Sequence, residues 1–145
     1  MADGRLLSES NAILNYLAAG TEYLPDDNYL RAKLLQWQFF EQYSHEPYIA
    51  VARYIAKYLG LPDDRRADYE AKQPVGHKAL QVMEKQLTHT EFLIGDVCTV
   101  ADISLFAYTH VADEGGFDLA SYPAILTWLG RIKAMPGYQA MLKMT

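Results

Sequence analysis

Apolar residues recur along this chain at steps of three and four, the spacing of one face of a helix, and almost nowhere alternate with period two. Ser8-Glu9-Ser10-Asn11 offers capping side chains ahead of Ala12, Ile13, Tyr16 and Leu17, which predicts a short first helix. The apolar pair Leu6-Leu7 before it reads as a short buried strand. A polar connector over residues 21–27 precedes the longest helical pattern. There Leu30, Leu34 and Trp37, then Tyr48, Val51, Ile55 and Tyr58, share a stripe. Pro47 removes a backbone donor from that pattern, so a kink is expected near His45-Glu46, and Gly60-Leu61-Pro62 closes the element. Leu80, Met83 and Leu87 predict a helix that Pro74 and Gly76 weaken in its middle. Two further helices follow, one from Thr99 through Tyr108 and one from Tyr122-Pro123 to Ile132, stopped by Pro136-Gly137. The pattern is that of an all-α bundle of about five helices.

Composition narrows the function classes. The 145 residues suit one domain, half of them are apolar, and the net charge of -5 leaves no basic run to neutralise phosphates. Nucleic acid and membrane surfaces are therefore not expected partners. No segment approaches the ~18 apolar residues of a membrane span. Cys98 is the single cysteine, so no intramolecular disulfide can form, and a reducing, cytoplasmic setting is the simpler inference.

Few residues carry recognisable chemistry. Thr99-x-x-Asp102 is a capping box: the hydroxyl and the carboxylate each accept from the other residue's amide. His45-Glu46 starts like a zinc-binding motif, but Ile49 stands where the second histidine would be needed. His77, His89 and His110 are isolated, and Cys98 beside the box suits packing over the first helical turn. No metal site and no catalytic residue emerge. Trp37, Phe39, Phe40, Tyr43, Tyr48 and Tyr54 are too many aromatics for one stripe; most are expected in the core, with those on the far face available to a cleft or a subunit contact.

Three separated stretches together resemble the glutathione S-transferase family. Glu9-Ser10-Asn11-Ala12-Ile13 resembles the motif that ends the family's thioredoxin-like domain. Phe92-Leu93-Ile94-Gly95-Asp96 with Thr99-Val100-Ala101-Asp102-Ile103 resembles the buried box of its helical domain, and Tyr122-Pro123 with Trp128 the helix that follows. The likeness spans nearly the whole chain. It implies that residues 1–25 correspond to the last strand and helix of a thioredoxin-like domain, with Asp3-Gly4 as the turn before that strand, and a linker. Residues 26–145 then correspond to the C-terminal helical domain.

The resemblance implies glutathione as co-substrate, with Ser10 on its α-carboxylate and Glu9 on its ammonium group; the residues alone favour Ser8 and Ser10 as caps of the helix. It implies a small electrophile in an apolar pocket with Tyr43, Tyr48 and Tyr108 as lining candidates, and a homodimer formed through residues 30–58. The family's thiol-activating donor belongs to a first strand that these residues do not include, so a truncated or inactive form is expected. The alternative is a non-catalytic helical interaction or dimerisation module. A regulator's ligand-binding bundle is disfavoured, since no basic helix-turn-helix precedes the helices.

Overall fold

A computed structural model describes residues 4–140. Six α-helices carry the chain: α1 (Ser10–Ala18), α2 (Asn28–Phe40), α3 (Glu46–Arg53), α4 (Arg66–Leu87), α5 (Val100–Thr109) and α6 (Pro123–Lys133). A π-helical turn, Glu41–His45, joins α2 to α3, and a second, Tyr54–Tyr58, extends α3. These segments form one continuous rod, so the bundle has the five helices that the pattern predicts. No strand occurs among the described residues; the nearest feature is an isolated bridge between Phe92 and Gly95. α4 lies between α3 and α6, α5 packs on α2, and α1 lies across α5.

The helix departs from regular geometry where proline predicts. Pro47 sits in the first turn of α3, and the amide of Glu46 donates to the carbonyl of Glu41, five residues back. A π-turn inserts one residue into the helical count and so rotates every later side chain by about one position. That is why Ile49 and Ala52 enter the core, while Tyr48 and Val51, one residue earlier, are only half-buried. Leu30 and Tyr58, at the ends of the expected stripe, are exposed. The turn also buries His45 completely, its Nε2 2.8 Å from the Thr109 hydroxyl and its Nδ1 without a partner. Burial pushes its pKa down to about 3.

α4 runs unbroken through Pro74 and Gly76, contrary to the expected weakness. The ring of Phe117 occupies the place where a β-carbon on Gly76 would stand, so the glycine is a packing requirement. Leu6 and Leu7 also differ from expectation. They form no strand, and Leu6 is 97% exposed, because no described segment lies alongside to pair with them. Asp3 of the expected turn lies outside the described residues.

The capping box is present in both halves. Asp102 is fully buried and does more than cap. Its Oδ2 accepts from the Thr99 amide at 2.9 Å and the Thr99 hydroxyl at 3.1 Å; its Oδ1 accepts from the Leu93 amide and the Trp128 indole, both at 2.9 Å. One carboxylate thus pins the loop before α5, the start of α5 and the middle of α6. Burial raises its pKa, against the four bonds that lower it. Glu84 of α4 holds the other end of α6, accepting from the amides of Ala124 and Ile125 at 2.9 Å each.

Two predictions follow from this packing. Asp102→Ala strands four buried donors and should cost about 3–5 kcal/mol, against about 1 kcal/mol for Thr99→Ala. Denaturant unfolding of both variants checks the ranking, and equal losses would contradict the pinning role. His45 gives a pH dependence. The unfolded chain protonates it near its ordinary pKa of 6.5, whereas the native state resists down to about 3. Stability therefore falls as pH drops through that window, by up to about 1.4 kcal/mol per unit. Asp102 and Glu41, both raised by burial, act in the opposite direction above ordinary carboxylate values. Unfolding between pH 6.5 and 4 should show a shallower slope for His45→Gln than for the parent; parallel slopes would refute this assignment.

Candidate functional site

The helix start picked out by the sequence is unusual in two respects. Glu9 has φ 70° and ψ 117°, a backbone conformation that a residue with a side chain adopts at a cost of about 1–3 kcal/mol. No side-chain hydrogen bond caps α1, so Ser8 and Ser10 do not play the capping part that the residues alone allowed. Both Glu9 and Ser10 are exposed. Among the described residues no side chain caps the first amides of α1, which carry the partial positive charge of a helix N-terminus. An anion of carboxylate size fits such a terminus.

What holds α1 in this place is a network of neutral amides around one acid. Asn11 Nδ2 donates to Glu41 Oε2 at 3.1 Å, and the Ser104 hydroxyl donates to Asn11 Oδ1 at 2.6 Å. Asn15 Nδ2 donates to Gln38 Oε1 at 2.7 Å, and Gln38 Nε2 reaches Ser104 Oγ at 3.4 Å. Glu41 and Gln38 are buried. Burial raises the Glu41 pKa, Gln42 and Asn11 oppose the rise by hydrogen bonding, and the charge of Glu46 adds to it. Residue spacing gave no signal for this network, since its members lie 23 to 93 positions apart.

Beside the network lies a cavity of about 530 Å³ between α1 and α2, bordered by Glu9 and Asn11 on one side and by Leu35 and Phe39 on the other. Phe39 is 69% exposed. The three tyrosines named from the sequence do not border this cavity. Tyr43 projects from the π-turn and is 83% exposed, and Tyr48 carries the Lys72 ammonium 5.7 Å above its ring. Tyr108 is half-buried, its pKa raised first by burial and then by the charges of Glu46 and Glu41. Thr99 and Asp102 lie in the core with the structural role described above. Cys98 is buried, and burial, aided by Asp102 and Glu22, pushes its thiol up to about 12, which leaves it a packing residue.

Comparison with known proteins agrees with this architecture. The family described as glutathione S-transferase, C-terminal domain, matches residues 37–136. The chain is 31% identical to the disulfide-bond oxidoreductase YfcG of Escherichia coli over 139 residues, which is 94% of this chain and 64% of that protein. It thus spans less than two thirds of that curated relative. It is 58% identical to a glutathione S-transferase of Pseudomonas fluorescens whose crystal structure superposes with a TM-score of 0.97, covering 98% of this chain and 71% of that one. A glutathione transferase of Burkholderia graminis, 26% identical, was solved with two glutathione molecules bound per subunit; it superposes with a TM-score of 0.78 over 90% of this chain and 57% of its own.

The strained, uncapped start of α1 generates a prediction about stability. Glu9→Gly should raise stability by about 1 kcal/mol, since glycine adopts positive φ freely. Ser10→Ala should change it by less than about 0.5 kcal/mol, because no cap bond is lost. Thermal unfolding of the two variants checks both signs, and a loss of about 1 kcal/mol for Ser10→Ala would restore the capping role.

Proposed function

The chain belongs to the glutathione S-transferase family, and we propose from that premise that its α1 start holds the γ-glutamyl end of glutathione in a transferase acting on small electrophiles. The observation that carries the reading is the positive-φ Glu9 ahead of an uncapped helix. The free amides and the Ser10 hydroxyl suit the α-carboxylate, and the Glu9 carboxylate suits the ammonium group. A costly backbone angle kept at an exposed helix start is what a binding site needs and a simple cap does not. Glutathione is a co-substrate of this reading.

The remaining parts follow the same division of labour. Residues 1–25 correspond to the end of a thioredoxin-like domain, and residues 26–145 are the helical domain. The helical domain supplies the electrophile's surroundings, with Tyr43, Tyr48 and Tyr108 as lining candidates. Thiol activation belongs to the strand region that the resemblance assigns to the thioredoxin-like domain, so these 145 residues by themselves are an inactive form in conjugation. Homodimerisation through the rod, and a cytoplasmic setting, belong to the same proposal. Exposed Leu35, Phe39 and Tyr54 on the rod favour the pairing, and they equally support the second reading, a non-catalytic dimerisation module.

Glutathione titration separates the two. Joined to a thioredoxin-like domain from a close relative, the chain should bind glutathione, and Ser10→Ala or Glu9→Gln should weaken binding about ten- to a hundredfold while leaving unfolding unchanged. The 145 residues alone should not accelerate conjugation of an aromatic electrophile. Calorimetry showing the same affinity for parent and variants would leave only the dimerisation module.

A further inference from the structure

α1 is fastened to the bundle by little besides polar contacts. Its nine residues fall short of the ~12–15 that an isolated helix needs to persist in water, so its order depends on docking. Docking buries one of its side chains fully, Ala18, with Leu14 partly packed on the core; Ile13, Tyr16 and Leu17 stay 37%, 53% and 68% exposed. α5, by contrast, buries seven of its ten residues. Among the described residues, side-chain hydrogen bonds between α1 and the rest of the bundle run through Asn11 and Asn15, which meet Gln38, Glu41 and Ser104.

A pivot lies just after the helix. Gly20 has φ 78°, which glycine adopts freely, and a β-carbon there would meet nothing within 4 Å. Further on the chain is anchored again: the Val100 amide donates to the Tyr23 carbonyl at 3.0 Å, and Tyr23 and Leu24 pack against the core. The positive φ at Glu9 adds a cost that α1 sheds when it loses its helical start. We propose that α1 releases from the bundle as a unit of its own, turning about Gly20 while Tyr23 stays bonded to Val100, in an opening that leaves α2 to α6 packed. Its bearing on function rests on the reading that Glu9 and Ser10 hold glutathione. Only the docked helix presents the two together, so the intrinsic affinity is reduced by the docked fraction, and whatever binds the docked form draws α1 in.

Native-state amide hydrogen exchange of the full chain, followed by NMR over low concentrations of denaturant, tests this without glutathione. Its outcome is therefore independent of whether Glu9 and Ser10 bind that peptide. The amides of Leu14, Tyr16 and Leu17 should exchange at least about a hundredfold faster than those of Leu105 and Leu129, with a smaller dependence on denaturant. Asn11→Ala and Asn15→Ala each remove one or two hydrogen bonds and should speed exchange in α1 about five- to tenfold, while Leu129 in α6 keeps its rate. Exchange of α1 at the rate and denaturant dependence of α5 and α6 would mean that it opens only in global unfolding, and would overturn the proposal. An Asn15→Ala variant whose α1 and α6 amides accelerate together would overturn it as well.

Discussion

The fold is organised around a carboxylate that water never reaches. Asp102 accepts four hydrogen bonds from three separate parts of the chain, and no neutral side chain of its size could accept as many. Its placement decides where α5 begins and how α6 lies against it. α5 in turn presents Ser104 to Asn11 at the head of α1 and Thr109 to His45 in the rod. The exposed helix start and the deepest part of the core are therefore joined by a few hydrogen-bonded steps, and the geometry around Glu9 inherits its accuracy from a buried acid far along the chain.

The rod formed by α2 and α3 solves a different problem. A straight helix of that length would keep one stripe inward and leave His45 on its shoulder. The π-turn widens the backbone where Pro47 withholds its donor, and the extra residue turns His45 inward against Thr109. The cost is a buried imidazole nitrogen with no partner. Just before and at the start of the turn, Gln38 and Glu41 are buried where α1 docks, so the tie between α1 and the bundle is polar and directional.

How much of this was readable from the residues depends on distance along the chain. The capping box, the helix distortion at Pro47 and the proline at the start of α6 were recognisable because each involves neighbours within a turn or two. The core face of α3 was misread by one position because periodicity assumes 3.6 residues per turn and a π-turn breaks that count. Gly76 looked like a weak point because its tenant, Phe117, comes from another segment. The Asn11, Gln38, Glu41 and Ser104 network was invisible for the same reason, as was the Glu84 carboxylate that caps α6 across 40 residues. The residue types at Glu9 and Ser10 were identifiable, whereas the positive φ that makes the site distinctive has no signature in a glutamate.

Cys98 has a practical consequence of its own. With its thiol pushed up to about 12 and its sulfur enclosed, Cys98 is a poor nucleophile at neutral pH. A cysteine placed anywhere on the surface can therefore be labelled alone, with no need to remove the native one. Fluorescent or spin probes at α1 and α3 can then report the distance between helix start and rod in a protein whose own chemistry stays silent.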